Sequence, residues 1–111
     1  MPKVSVIVPI WGVEKYIEAC VVSLFEQTLM DIECIFVNDC TPDNSMSVLK
    51  MIIEKYPNRK QQTKIIDLRN NGGVANARTV GMKIATGEYM IHCDPDDYME
   101  SDYFETLYNK G

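Results

Sequence analysis

Three carboxylates lie close together late in the chain, directly after a short apolar run. Asp94, Asp96 and Asp97 follow the segment Glu88–Cys93, which can form a strand. Like charges at this spacing repel one another unless a cation neutralises them. Carboxylate oxygens are ligands that Mg²⁺ and Mn²⁺ prefer, and such ions also bind polyphosphates. The spacing of Asp94 and Asp96 therefore indicates a site for a divalent cation and a phosphate-bearing ligand.

A structural role would also account for these acids. Aspartates often cap the N-terminus of a helix, where the helix dipole favours negative charge. The apolar side chains of Met99–Tyr108 predict a helix directly after them. An EF-hand calcium loop is excluded, because the glycine of its sixth position would fall on Met99. From the spacing alone, the cation site and the helix cap both remain open.

The remainder of the chain alternates between segments typical of strands and of helices. Short apolar runs predict strands at Val4–Val8, Glu33–Val37, Lys64–Leu68 and Glu88–Cys93. Helical spacing of apolar residues predicts helices at Val13–Thr28, from Asp43 or Asn44 to Tyr56, at Val74–Ala85 and at Met99–Tyr108. Pro9 is expected to end the first strand, Pro57 to end the second helix, and Arg59–Gln62 to form a polar loop. This βαβαβαβα order predicts an α/β fold with an open, mainly parallel sheet and helices on both faces.

Polar and aromatic residues follow each predicted strand. Trp11 follows the first strand, Asp39 the second, Asp67 lies near the end of the third, and Asp94 and Asp96 follow the fourth. Open α/β sheets bind ligands beyond the carboxyl ends of their strands, where the strand order reverses. We therefore expect these side chains to share one rim of the sheet.

Composition limits the functions that are open to this chain. A length of 111 residues predicts one domain, and the net charge of −5 without an extended basic cluster argues against nucleic-acid binding. The four cysteines lack CxxC or CxxH spacing, which argues against zinc and favours reduced, mostly buried thiols. No signal peptide or bilayer-spanning run is present, so we expect a cytoplasmic protein that associates with a membrane only peripherally.

Four sequence elements, taken in this order, carry a family resemblance. They are Val4-Ser5-Val6-Ile7-Val8-Pro9, Phe36-Val37-Asn38-Asp39-Cys40-Thr41-Pro42-Asp43, Asn71-Gly72-Gly73 with Ala77-Arg78, and Gly87-Glu88-Tyr89 with Asp94-Pro95-Asp96-Asp97. This order resembles the donor half of family 2 glycosyltransferases, from about Val4 to Tyr108. The resemblance implies a truncated GT-A, Rossmann-like fold. It also implies that residues 1–111 are the donor-binding part, with the acceptor half absent.

An activity follows from the resemblance. Family members transfer a sugar from a nucleoside diphosphate sugar, here expected to be a UDP-sugar, to an acceptor, here an unknown glycan or lipid-linked molecule. The transfer is expected to be inverting and to depend on Mg²⁺ or Mn²⁺. The general base is expected beyond Gly111, so the chain has no catalytic residue of its own. It is expected to bind donor without turning it over, and its uncovered apolar surface to favour self-association.

The resemblance also assigns roles to individual residues. It implies that Asp94 faces the ribose and Asp96 holds the metal, and both are candidate metal ligands. Asp39 is expected to accept the imide N–H of uracil, while Pro9 and Trp11 contact the base. Asn71 and Arg78 belong to the Asn-x-Gly…Ala-Arg element near the phosphates. Cys40 stands where the family commonly has glycine.

Structural roles stay open for several of these residues. Trp11 could be a packing residue at a loop–helix junction, and Asp39 could cap a turn. Arg78 could pair with a phosphate or brace the Asp94 loop, and His92 is expected to be an ordinary sheet residue. Two other functions compete for the whole chain. A receiver-like phospho-acceptor module is disfavoured, because Pro9-Ile10-Trp11 replaces its acid pair, and a non-catalytic nucleotide-binding or assembly module remains open.

Overall fold

A computed structural model describes residues 2–95 and 99–110 of the chain. Its elements, in chain order, are β1 (Val4–Ile10), α1 (Ile17–Phe25), β2 (Ile32–Asn38), α2 (Ser45–Lys55), α3 (Pro57–Lys60), β3 (Thr63–Asp67), α4 (Val74–Ile84), β4 (Tyr89–His92) and α5 (Tyr103–Lys110). The predicted alternation of strands and helices is confirmed, with α3 as an additional short helix.

The four strands form one parallel sheet in the order β3-β2-β1-β4. The chain builds outward from β1 to β3 and then returns to the other side of β1 for β4. Strand order therefore reverses between β1 and β4. In open α/β sheets this reversal leaves a crevice at the carboxyl ends of the strands, which is where ligands bind.

Helices cover both faces of the sheet, as predicted. On one face, α1, α2 and α5 pack on β1 and β2, and Leu24, Leu49 and Phe104 are among the buried side chains of this core. On the other face, α4 packs through Ala77 against Ile7 and other strand residues. Adjacent residues of this fully buried strand point to opposite faces, so Val4, Val6, Val8 and Ile10 pack in one core and Ile7 in the other.

The prediction that Pro9 ends the first strand is wrong, because β1 continues to Ile10. The carbonyl of Ile7 accepts the N–H of Cys93, so Ile7 faces β4. Pro9, two residues later, faces the same side. The ladder between β1 and β4 has already ended at the Ile7–His92 pair. Pro9 therefore needs no N–H at this position, and the strand tolerates it.

The prediction of a polar loop at Arg59–Gln62 is also wrong. Residues Pro57–Lys60 form the short helix α3, with proline in its first turn, where no N–H is required. Arg59 is only 3% exposed. Its five N–H groups donate to the carbonyls of Phe25, Gln27, Leu29 and Met30 and to the side chain of Gln62. Arg59 thus holds together the connection between α1 and β2.

Within residues 2–95 and 99–110, no helix combines the length and apolar character needed to cross a bilayer.

Candidate functional site

A cavity of about 220 Å³ opens at the carboxyl ends of β1, β2 and β4. Its walls come from three strand ends and from the start of α4. They are formed by Pro9, Ile10, Trp11, Asp39, Asn71, Gly73, Val74, Asp94 and Pro95. Three residues of the predicted rim, Trp11, Asp39 and Asp94, line this one cavity. Two further candidate site residues, Pro9 and Asn71, line it as well.

Asp39 lies at the back of the cavity and is 2% exposed. Its carboxylate oxygens accept the backbone N–H groups of Gly72 and Gly73, each at 2.9 Å. Gly73 has a φ of 92°, a conformation that favours glycine. Asp39 thus fastens the glycine turn to the end of β2. Each carboxylate oxygen retains a second lone pair that can accept a hydrogen bond from a ligand.

Two loops that meet beside the cavity hold Trp11. Gly12, directly after it, has a φ of 63°, and its N–H donates to the Thr41 hydroxyl at 2.8 Å. Cys40, between Asp39 and Thr41, also has a positive φ of 59°. Trp11 is 48% exposed and forms part of the cavity wall, where an aromatic side chain suits a flat ligand.

Asp43 is the centre of the contacts between these loops. Its carboxylate accepts hydrogen bonds from the hydroxyls of Thr41 and Ser45 and from the backbone N–H groups of Glu14 and Ser45. Desolvation raises its pKa, but the hydrogen bonds from Ser45, Thr41 and Glu14 outweigh it and lower the pKa of Asp43 to about 2. This aspartate therefore acts at the start of α2, as the sequence allows, and secures the Trp11 loop as well.

Arg78 does not line the cavity but acts on a residue that does. It lies on α4 and donates from Nη2 to Oδ1 of Asp94 at 2.8 Å. The side chain of Asp94 is 52% exposed, so the rest of its carboxylate faces solvent at the cavity rim. Of the two roles that the sequence leaves open for Arg78, the described structure contains the ion pair with Asp94.

Two further residues from the sequence analysis lie outside the cavity wall, and a third is not described. Asp96 falls outside the residues that the structure describes. Asp67, at the end of β3, accepts a hydrogen bond from Asn38 and is not part of the cavity wall. His92 is the last residue of β4, pairs with Ile7 in the sheet and does not line the cavity.

Sequence reasoning named Gly73 only as part of the glycine turn, and it missed three other residues of the cavity wall, Ile10, Val74 and Pro95. The signal for Ile10 was its position next to Pro9, but the strand was expected to end earlier. Val74 begins α4, is 49% exposed and forms part of the cavity wall. Its exposure into the cavity was not readable from the sequence.

The described residues contain no group of three or more His, Cys, Asp or Glu side chains arranged to hold a metal ion. Asp94 offers one carboxylate oxygen that Arg78 does not engage. Oxygen donors of this kind suit Mg²⁺ or Mn²⁺, which commonly bind through one or two carboxylates and complete their shells with phosphate and water. The donor chemistry at the rim therefore fits such an ion when a phosphate-bearing ligand supplies further oxygens.

A family model and individual relatives of known sequence were compared with this chain. Residues 5–110 match the sequence model of Glycosyl transferase family 2. EpsJ of Bacillus subtilis strain 168, named as an uncharacterized glycosyltransferase, is 46% identical over 96% of this chain and 30% of its own length. GgaB of the same strain, named as a minor teichoic acid biosynthesis protein, is 40% identical over 95% of this chain and 11% of its own length.

Solved structures share the fold. S. aureus TarS 1–349 in complex with UDP superposes with a TM-score of 0.83 at 35% identity, covering 96% of this chain and 31% of that one. The mannosyltransferase PcManGT of Pyrobaculum calidifontis, in complex with GDP-Man and Mn²⁺, gives a TM-score of 0.85 at 25% identity and covers 97% and 31%. The predicted GT-A architecture is thus confirmed, and the chain spans less than a third of the length of these proteins.

Proposed function

Because the chain belongs to glycosyl transferase family 2, we propose that it forms the donor-binding part of an enzyme that transfers a sugar from a nucleoside diphosphate sugar. The observation that carries this proposal is the single cavity shared by Trp11, Asp39 and Asp94. The aromatic side chain of Trp11 suits stacking on a base, and the buried carboxylate of Asp39 suits an N–H group of that base. The exposed carboxylate of Asp94 suits the ribose next to the phosphates.

Uracil is the proposed base. The two glycine N–H groups orient the Asp39 carboxylate, and its remaining lone pairs can accept the imide N–H of uracil. Cytosine offers no such ring N–H and should bind less well. Trp11 would stack on the base, and Pro9 would contact it from the same cavity wall. Complexes of TarS with UDP and UDP-GlcNAc support this choice by similarity.

The cavity has a volume of about 220 Å³. Typical small-molecule sites are larger, at roughly 300–1,000 Å³. We therefore assign it to the base and part of the ribose, with the diphosphate extending past Asp94. Asn71 and Gly73, in the turn before α4, also line the cavity, and Asn71 is proposed to lie near the phosphates.

Mg²⁺ or Mn²⁺ is the proposed cofactor, held by Asp96 with Asp94 as a second candidate ligand. Such an ion, when bound, offsets the negative charge that develops on the departing diphosphate. The Mn²⁺ complex of PcManGT supports this proposal by similarity. Asp94 would orient the ribose, and Arg78 would hold Asp94 in place.

In the proposed reaction, an acceptor hydroxyl oxygen bonds to the anomeric carbon while the bond from that carbon to the diphosphate oxygen breaks. A general base takes the hydroxyl proton, and the configuration inverts. No residue of this chain is assigned as that base. The name of GgaB supports a cell-surface polymer as the product, and a glycan or lipid-linked molecule is the proposed acceptor. The full-length enzyme would work in the cytoplasm, peripherally at the membrane.

Calorimetric titration with UDP, with and without Mn²⁺, tests the proposal. Wild type should bind UDP with an affinity that rises with Mn²⁺, and Asp96→Ala should lose the gain from the metal while keeping its fold. CDP should bind less tightly than UDP. Binding of no nucleoside diphosphate in the presence of Mn²⁺ would contradict the proposal and favour a non-catalytic assembly module.

Self-association through β4 is part of the proposal. Among the described residues β4 is an edge strand of the sheet, and Tyr89 and Met90 are 40% and 50% exposed. An edge strand with exposed apolar side chains favours pairing with a second copy. Sedimentation velocity should show a concentration-dependent dimer, and Met90→Lys should shift it to monomer. A monomer at all concentrations would contradict this part.

A further inference from the structure

Two buried thiols from distant parts of the chain lie in contact with each other. Cys20 belongs to α1, and Cys93 directly follows the last residue of β4. Their Sγ atoms are 3.8 Å apart, and the two residues are 0% and 5% exposed. The two sulfurs of a disulfide are about 2.05 Å apart. A small local movement would therefore bring these sulfurs to bonding distance.

The other two cysteines differ from this pair. Cys34 is fully buried on β2, and desolvation raises the pKa of its thiol to about 12. A thiol that stays protonated is a poor nucleophile towards an oxidant or a disulfide. Cys40 is exposed, so it can react with a second molecule. Cys20 and Cys93 are therefore the cysteines suited to an internal disulfide.

The backbone of Asp94 connects this pair to the cavity. The carbonyl oxygen of Asp94 lies 3.7 Å from Sγ of Cys20 and 3.6 Å from Sγ of Cys93, within reach of their S–H groups. The same residue lines the cavity. A disulfide has no S–H group, so its formation would remove the thiol donors from this carbonyl oxygen.

Closure of the sulfur–sulfur distance should move Cys93 more than Cys20. Buried apolar side chains anchor α1 on both sides of Cys20. In contrast, Cys93 lies just beyond the paired residues of β1 and β4, and its N–H donates to the carbonyl of Ile7. Asp94 is covalently bonded to Cys93 and would move with it. Oxidation of the pair would therefore displace a residue of the cavity wall.

From these contacts we propose that Cys20 and Cys93 form a reversible oxidation site. Resting on the proposed function, we also propose that their disulfide weakens the binding of a nucleoside diphosphate. A dithiol reductant restores both thiols by exchange. In a reducing compartment such a disulfide is transient, which suits a response to oxidants.

Hydrogen peroxide is the proposed class of oxidant, because it is small enough to reach a nearly buried thiol. The thiolate of Cys93, the more exposed of the two, attacks one peroxide oxygen. The O–O bond breaks, the second oxygen leaves as water with the released proton, and Cys93 becomes a sulfenic acid. The sulfur of Cys20 then attacks that of Cys93, the S–O bond breaks, and a second water leaves. Two thiols and one peroxide thus give one disulfide and two waters.

Peptide mapping tests the oxidation site. The Cys40→Ser variant, which lacks the exposed thiol, is treated with a stoichiometric amount of hydrogen peroxide and cleaved after glutamate. Residues 19–26 then carry only Cys20, and residues 89–100 carry only Cys93. Mass spectrometry should find these two peptides joined with the loss of two hydrogens, and dithiothreitol should separate them. Absence of this joined peptide would overturn the proposal.

Two further variants in the Cys40→Ser background serve as a matched pair. Cys20→Ala should abolish the joined peptide, because Cys93 then has no sulfur to resolve its sulfenic acid. Cys34→Ala also removes a fully buried thiol, but it should leave the joined peptide in place. Loss of the joined peptide in Cys34→Ala would assign the reaction to Cys34 and overturn the proposed pair.

Calorimetric titration with UDP and Mg²⁺ tests the consequence for binding. The oxidised Cys40→Ser variant should bind UDP about tenfold or more weakly than its reduced form, as for other losses of groups that orient a ligand-binding residue. Dithiothreitol should restore the affinity. With Cys20→Ala added, the same peroxide treatment should leave UDP affinity unchanged.

A joined peptide without a change in UDP affinity would overturn the proposed effect on binding. A reduced wild type that binds no UDP would contradict the proposed function and, with it, the effect on binding. The joined peptide is measured without any nucleotide, so it tests the oxidation site independently of the proposed function.

Discussion

The buried carboxylate of Asp39 accepts the backbone N–H of Gly73 at 2.9 Å, which joins the end of β2 to the start of α4. A second bond from Gly72 makes the contact symmetrical. The residue proposed to recognise the base is therefore also the residue that shapes the turn beside it. Ligand recognition and local structure depend on the same side chain.

Asp39→Asn is expected to weaken both functions. The amide places an NH₂ group against one of the two glycine N–H groups, which leaves a buried donor unpaired at a cost of about 1–3 kcal/mol in the free energy of unfolding. UDP affinity should fall by at least tenfold. Chemical denaturation and calorimetry measure the two effects. Asp67→Asn, at the end of β3 and outside the cavity wall, is the control and should keep UDP affinity; equal losses in both variants would contradict the assignment.

Much of the site was predictable, because the carboxyl ends of parallel strands meet at one edge of a sheet. That rule alone predicted that Trp11, Asp39 and Asp94 lie close together, and all three line the cavity. The role of Arg59 was not predictable in this way. Its neighbours Asn58 and Lys60 are polar, and the carbonyl groups that bury it belong to a segment about thirty residues earlier. Local composition carries no information about such distant acceptors.

Arg59→Lys should destabilise the fold strongly. Lysine has three donors and no planar arrangement, so it leaves carbonyl groups at the connection between α1 and β2 without partners. We expect a loss of about 3 kcal/mol or more in the free energy of unfolding, by urea denaturation, since hydrogen bonds to charged groups contribute about 1.5–3 kcal/mol each. The exposed Arg69→Lys should change stability by less than about 0.5 kcal/mol. Similar values for the two variants would contradict the role of Arg59.

Cys40→Gly should stabilise the protein. Cys40 has a φ of 59°, where a side chain costs roughly 1–2 kcal/mol. Glycine removes this cost but gives up about 0.5–1 kcal/mol in backbone entropy. The net gain should be about 0.5–1 kcal/mol in thermal or urea unfolding. Gln61→Gly, at an exposed residue with a φ of −66°, should destabilise instead. A destabilised Cys40→Gly would indicate that the cysteine side chain makes a compensating contact.

The pH dependence of stability should reveal Asp43. Its folded-state pKa of about 2 lies below the 3.8 of an unperturbed aspartate. The unfolded state therefore takes up the proton first as the pH falls. The stabilisation from this carboxylate is complete above about pH 4 and is lost as the pH falls through about 2. Asp43→Ala should cost about 1 kcal/mol at pH 7, because the hydroxyl and N–H donors of Thr41, Ser45 and Glu14 lose their acceptor. Its disadvantage relative to wild type should disappear near pH 2, and a difference that persists there would contradict the pKa.

The fluorescence of Trp11 tests the central claim most directly, because it is the one tryptophan in the sequence and forms part of the cavity wall. Titration of the wild-type chain with UDP in the presence of Mg²⁺ should change its emission in a saturable manner. The midpoint should match the dissociation constant from calorimetry, and uncomplexed Mg²⁺ alone should have little effect. Calorimetric binding of UDP without any change in Trp11 emission would place the nucleotide elsewhere on the molecule and contradict the account.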